Sequence, residues 1–183
     1  IGVPLPNTYI RILDDNGAEV PLGQSGEIAI KGPQVMAGYW QRPDETAKVM
    51  TADGYFKSGD IGIMDERGYT KIIDRKKDMI LVSGFNVYPA EVEEVLLDHP
   101  DVAEVGVVGV PHPHHGEAVK AFVVLKPGYV PTTSCKQELM DYCRKHIAKY
   151  ALPYDIEFRE DLPKTLVGKV AYRVLEEEEA EKK

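Results

Sequence analysis

Tryptophan occurs once and cysteine twice among the 183 residues, and no apolar run reaches the ~18 residues that a bilayer-spanning helix needs. A disulfide-stapled domain is excluded. Cys135 and Cys143 fall on what reads as one helix, and at about 1.5 Å per residue their spacing puts them roughly 12 Å apart, beyond disulfide reach. Two buried structural thiols in a reducing, cytoplasmic setting are the expectation, with a redox or nucleophilic role as the alternative. Positive charge is also in deficit, with 22 Lys and Arg against 30 Asp and Glu and a net charge of -8. Such a balance offers no general basic face for nucleic acid or anionic lipid. The deficit is uneven: residues 1–77 hold 10 basic and 11 acidic side chains, residues 78–183 hold 12 and 19. Much of it is the run Glu176-Glu177-Glu178-Glu179, which reads as a solvated helix end. The start Ile1-Gly2-Val3-Pro4 has neither an initiator methionine nor a charged signal-peptide region, so the chain is expected to begin inside a longer protein. No G-x-x-x-x-G-K-[ST] loop is present, and the chain by itself lacks a complete nucleotide cradle.

With 43% hydrophobic and 28% charged residues, the composition is that of one ordinary globular domain or two small ones. The first 77 residues read as short strands joined by turns. Tyr9 to Leu13 and Gly26 to Lys31 alternate as strands, and Asp15-Asn16-Gly17 is a turn signal. Ile61 to Met64 and Tyr69 to Ile73 flank Asp65-Glu66-Arg67-Gly68 as a hairpin. The charged run Asp74-Arg75-Lys76-Lys77-Asp78 is too polar for a core strand and marks a boundary. Beyond it the pattern is mixed. Pro89 opens a helix that Pro100 stops, with Val92, Val95 and Leu96 on one face. Apolar strands follow near Val102 to Val110 and Ala118 to Leu125. Ser134 and Gln137 make a capping-box pattern for a helix running to Lys149. A strand near Tyr154 to Phe158 and a terminal helix from about Val170 complete the order.

Three places could carry chemistry. In Ser58-Gly59-Asp60, glycine lets the backbone approach a ligand while the carboxylate can accept from the vicinal hydroxyls of a ribose; an ordinary turn is the alternative. Arg75 offers a planar donor fork for phosphate or sugar oxygens, and the later Ser83-Gly84-Phe85-Asn86 permits close approach of something bulky. Lys169 in Lys164-Thr165-Leu166-Val167-Gly168-Lys169 could deliver a point charge to a transferring phosphoryl oxygen. His112-Pro113-His114-His115 invites a zinc reading, but no cysteine or further histidine has ligand spacing around it; a structural turn and no metal site are expected.

These pieces lie in a telling order. Gly26-Glu27-Ile28, Gly32-Pro33, Gly38-Tyr39-Trp40, Ser58-Gly59-Asp60, Asp74-Arg75-Lys76-Lys77-Asp78, Gly84-Phe85-Asn86-Val87-Tyr88-Pro89, Val110-Pro111-His112-Pro113 with Gly116-Glu117, and Leu162-Pro163-Lys164-Thr165 with Gly168-Lys169 follow one another along essentially the whole chain. In order and spacing they resemble the adenylate-forming acyl-CoA synthetases, and Asp74 to Pro89 looks most like the medium- and long-chain fatty-acid members. The resemblance implies an α+β fold. Residues 1–77 would end a large AMP-binding domain as a β-rich, distorted barrel-like subdomain, and residues 78–183 would form a small α+β lid domain with short sheets and flanking helices. It implies catalysis by Lys169 at the α-phosphate, ribose and phosphate contacts from Asp60 and Arg75, a hinge at Lys77, and a thioesterification loop at Gly84, Phe85 and Asn86.

ATP and CoA would be co-substrates of the parent enzyme, with Mg2+ accompanying ATP, a fatty acid as the acid, and none of them held tightly by this portion alone. The Ser/Thr/Gly-rich phosphate loop and the acyl pocket would lie upstream of Ile1. An aryl or other carboxylic acid is the alternative substrate, and a non-catalytic binding module the alternative class. No nucleic-acid partner and no transmembrane segment are expected. Apolar surface exposed on residues 1–76 could drive homodimer formation, and a fatty substrate allows peripheral membrane association of a cytoplasmic parent.

Overall fold

A computed structural model describes residues 1–182 and divides the chain into two compact units, Ile1–Lys77 and Asp78–Lys183. The first contains strands β1 (Tyr9–Leu13), β2 (Gly26–Lys31), β3 (Phe56–Met64) and β4 (Thr70–Arg75), with one helix, α1 (Pro43–Val49). The strands pair antiparallel in the order β1-β2-β3-β4. The barrel-like subdomain is therefore an open sheet, with no closed barrel among the described residues. Period-two alternation puts Ile12 and its partner Ile28 on one face and Leu13 and Ala29, which pack with Tyr55, on the other, and all five are buried. Both turns are built by aspartate. Asp14 accepts the Asn16 and Ala18 amides at 2.9 and 2.8 Å, and Asp65 accepts those of Arg67 and Tyr69, both at 2.9 Å, with Gly68 at φ 82°. Helix α1 has no counterpart in the sequence reading, because seven residues with none buried carry no apolar period.

The second unit contains β5 (Ile80–Val82), β6 (Phe85–Val87), α2 (Pro89–Leu97), β7 (Val102–His112), β8 (Gly116–Leu125), α3 (Thr133–His146), β9 (Asp155–Phe158) and α4 (Tyr172–Glu181). Its sheet runs β6-β5-β8-β7, and β9 adds parallel to β8. The period of two in β8 divides the side chains between two faces. Val119, Ala121 and Val123 join Val92 and Leu96 of α2 and Leu139 and Cys143 of α3 in the larger core. Phe122 belongs to a second core with Val108, Leu162 and Leu175, the last from α4. Gly106 lies under that core. A Cβ there would stand 3.1 Å from Leu175 Cδ1 and 3.2 Å from Val170 Cγ1, so those side chains would have to give by a few tenths of an ångström.

Three local expectations are corrected. The N-cap of α3 is Thr132, whose hydroxyl accepts from the Cys135 amide at 3.1 Å; Ser134 and Gln137 lie inside the helix, and Gln137 instead bonds Asp141. The same helix stops at His146, short of Lys149. The glutamate run of α4 is not simply solvated. Glu178 pairs with Arg159 at 2.8 Å and Glu179 with Lys120 at 2.7 Å.

Candidate functional site

In the first unit, Ser58, Gly59 and Asp60 form part of β3 rather than a turn. Gly59 has φ 76°, a left-handed conformation inside a strand, and a Cβ there would meet nothing within 4 Å. Glycine is thus required by the backbone, not by crowding. Asp60 lies opposite Arg75 in the β3–β4 ladder, and Arg75 Nε reaches Asp60 Oδ1 at 3.0 Å. The guanidinium is 64% exposed, so the pair is worth at most about 1 kcal/mol and can rearrange around a ligand cheaply.

Beneath this pair sits a support that the sequence did not disclose. Glu27 is 8% exposed, accepts the Gly59 amide at 3.2 Å and pairs with Lys76 Nζ at 3.0 Å; Lys76 also reaches Asp15 at 2.9 Å. Burial works against the Lys76 charge, but the hydrogen bonds and charges of Asp15 and Glu27 outweigh it and raise the pKa. Lys76→Met leaves Glu27 buried without its cation and should cost the first unit about 3 kcal/mol. Asp60→Asn should cost less than about 1 kcal/mol. Native-state exchange of the Ile28 and Ile61 amides distinguishes the two. Lys77 closes this unit within a short 3-10 turn over Lys76–Asp78.

In the second unit, Ser83 and Gly84 are the two central residues of a β5–β6 hairpin in which Val82 pairs with Phe85. Their φ values, 50° and 86°, fit the twist of a two-residue hairpin loop. Here too a Cβ on glycine would meet nothing within 4 Å. Ser83 ties the turn to the start of β8, its amide donating to the His115 carbonyl at 2.9 Å and its Oγ lying 2.8 Å from His115 Nδ1. Phe85 stacks on Tyr150 with ring centroids 4.8 Å apart, while Asn86 lies opposite Leu81 and is exposed. An apolar groove of about 480 Å³ follows, lined by Val82, Phe85, His115, Tyr150, Leu152 and Tyr154 among others. His112, His114 and His115 surround the β7–β8 turn.

Lys169 occupies a tight loop between Leu162 and α4. Thr165 N donates to the Lys169 carbonyl at 2.7 Å, the Lys169 amide donates to Thr165 Oγ1 at 3.2 Å, and Ala171 N donates to the Pro163 carbonyl at 2.7 Å. Gly168 reverses the chain at φ 80°. Lys169 is exposed, and among the described residues no carboxylate pairs with it; Lys164 is by contrast tied to Glu104 at 2.9 Å and Asp161 at 3.3 Å.

The loop of Lys169 and the turn of Gly84 address different directions. Val170 packs over Gly106, which pairs with Phe122, whereas the Gly84 turn is fastened beside Gly116. Six residues of strand separate Phe122 from Gly116, roughly 20 Å. Val170 also belongs to the α4 core, while Phe85 shares a strand face with Val87 of the α2–α3 core.

Residues 91–169 match the model of the AMP-binding enzyme C-terminal domain, and residues 1–40 that of the AMP-binding enzymes. A long-chain-fatty-acid–CoA ligase of Escherichia coli is 52% identical over 97% of this chain. In both of its units the chain is similar to AMP-binding enzymes. A Bacillus subtilis long-chain-fatty-acid–CoA ligase is 49% identical over 99% of it. The chain spans about a third of the length of those relatives, 31% and 32%. Among solved structures, ATP-bound MatB from Rhodopseudomonas palustris superposes with a TM-score of 0.89 at 39% identity, covering 97% of this chain and 35% of MatB. The Bacillus subtilis o-succinylbenzoate CoA synthetase in complex with its acyl-adenylate gives 0.81 at 37% identity, covering 94% of this chain and 34% of the synthetase.

Proposed function

We propose that this chain is the C-terminal portion of an ATP-dependent acyl-CoA ligase that activates a fatty acid as its acyl-adenylate and then transfers it to CoA. What supports the reading is that Val170, next to Lys169, packs on the Phe122 and Leu175 core, whereas the Gly84 turn is fastened at the Gly116 end of β8. A ligase needs a cation at the α-phosphate in the first step and room for a thiol arm in the second. A unit bearing the two devices apart serves both by turning, and Lys77, the last residue of the first unit, is the pivot of that turn. In the adenylation placement the Lys169 ammonium neutralises charge growing on the α-phosphate and on departing pyrophosphate. Asp60 accepts from the ribose hydroxyls, and Arg75, released from its weak pair, donates to ribose or phosphate oxygens. In the transfer placement the Gly84 turn, with Phe85 and Asn86, lines the path of the CoA thiol arm.

Mg2+ accompanies ATP in this chemistry. The described residues gather no group of three or more His, Cys, Asp or Glu able to hold a metal, so the ion would rest on the phosphates and on residues outside this chain. Tight binding of ATP or CoA by this portion is not expected, since the phosphate loop is not among its residues. No helix of the described residues is long and apolar enough to cross a membrane. Peripheral association of a cytoplasmic ligase with membranes suits a fatty substrate. Homodimer formation through exposed Leu5, Tyr39 and Trp40 belongs to the same reading.

The test is ATP-dependent formation of palmitoyl-CoA by this chain alone and by the protein extended upstream through the phosphate loop. Activity in the extended protein only is the expected result. An extended protein inactive on palmitate but active on an aryl acid would replace the substrate, and inactivity across a broad acid panel would favour a binding module.

A further inference from the structure

Helix α4 is poorly equipped to hold its own position. Only Leu175 is fully buried, and four consecutive glutamates occupy the half of the helix where the macrodipole disfavours negative charge. A ten-residue helix of this kind is marginal without outside support. That support comes from cations on the sheet. Lys120 of β8, 7% exposed, places Nζ 2.8 Å from Glu157 and 2.7 Å from Glu179. Arg159, next to β9, reaches Glu157 at 2.6 Å and Glu178 at 2.8 Å, and Lys182 closes the circuit at 2.8 Å from Glu157 and 2.6 Å from Glu179. Lys120 and Arg159 each lie 5.1 Å from the centre of the Phe122 ring, so their charges hold the floor under Leu175 as well. Burial alone would raise the Glu157 pKa, but hydrogen bonds from Lys120 and Lys182 and the charges of Lys120 and Arg159 bring it to about 2. Glu157 is therefore ionised near neutral pH.

The other end of α4 continues directly into the Lys169 loop. Tyr172 donates to Glu93 at 3.0 Å, Ala171 N closes the loop onto Pro163, and Val170 packs over Gly106. Upstream, the loop is fixed by buried Leu162 and by the Lys164–Glu104 pair. Downstream it depends on where α4 lies. We propose that Lys120 is a positioning residue for Lys169: by clamping Glu179 of α4 to Glu157 of β9, it sets the helix from which the catalytic loop hangs. This rests on the ligase reading of Lys169. Lys120 never meets substrate in this role, and its contribution belongs to adenylation, the step that uses Lys169, rather than to transfer.

The test compares Lys120→Met, Lys120→Arg and Lys169→Ala. Methionine keeps a long apolar stem against Phe122 but removes the cation. In this chain, Lys120→Met should raise amide exchange from Val170 through Glu179 by about tenfold or more, with α2 and α3 unchanged. In the extended ligase, the same variant should lower ATP–pyrophosphate exchange about tenfold while leaving the conversion of synthetic palmitoyl-adenylate to palmitoyl-CoA intact, and Lys120→Arg should restore much of the loss. Unchanged exchange in α4, or an equal fall in both half-reactions, would overturn the positioning role. Full adenylation by Lys169→Ala would instead remove the ligase reading of Lys169, and the role of Lys120 with it.

Discussion

Lys169→Ala in the extended ligase is expected to lose about 10²- to 10³-fold in adenylation, measured as ATP–pyrophosphate exchange, and to keep its rate of thioester formation from a supplied acyl-adenylate. The selectivity follows from how the lysine is held. Its loop is closed by main-chain groups, with the Lys169 carbonyl accepting from Thr165 N and its amide donating to Thr165 Oγ1. Its side chain is exposed and pairs with no carboxylate among the described residues. Truncation therefore removes a charge without removing a structural contact, and folding should change by less than about 0.5 kcal/mol. Arginine should rescue poorly. Its wide planar fork spreads the charge that an ammonium concentrates at one phosphoryl oxygen. Loss of both half-reactions together would place Lys169 in structure rather than chemistry.

The parts of this arrangement that could be read in the sequence are those written in local patterns. The sequences of β1 and β2 carry a strand pattern, although consecutive residues are buried in both, Pro89 and Pro100 bracket α2, and Asp65 to Gly68 carries its own turn chemistry. Motifs with a fixed spacing located Asp60, Arg75, Gly84 and Lys169 as candidates. What stayed hidden depends on partners distant in sequence. Glu27 and Lys76 are 49 residues apart, and neither has a local feature that announces a buried pair. Tyr150 stacks on Phe85 across 65 residues, and no periodicity links them. The acidic run of α4 was misread for the same reason. A block of like charge is ordinarily solvated, and only the fold brings Lys120 and Arg159 beneath it. The capping of α3 failed differently. Thr132 and Ser134 are both competent caps, and in the structure it is Thr132 whose hydroxyl accepts from the Cys135 amide.

Gly84 should give the complementary result. Gly84→Val is expected to lower transfer of palmitoyl-adenylate to CoA by about tenfold or more while adenylation persists. The cost begins in the backbone. Gly84 holds φ 86°, a region that a β-branched residue rarely enters, so valine strains the turn that Ser83 fastens to His115. Gly84→Asn separates this from the need for space. Asparagine tolerates the left-handed conformation, and a Cβ at this position meets nothing within 4 Å, so the hairpin should keep its register of Val82 opposite Phe85. If Gly84 serves only the turn, Gly84→Asn transfers acyl groups at the normal rate. If the absent side chain is itself the passage for the thiol arm, the asparagine variant is as slow as valine despite an intact hairpin. The ligase reading requires the second result, because an arm threading past the turn needs the room that glycine leaves as well as the bend that glycine allows.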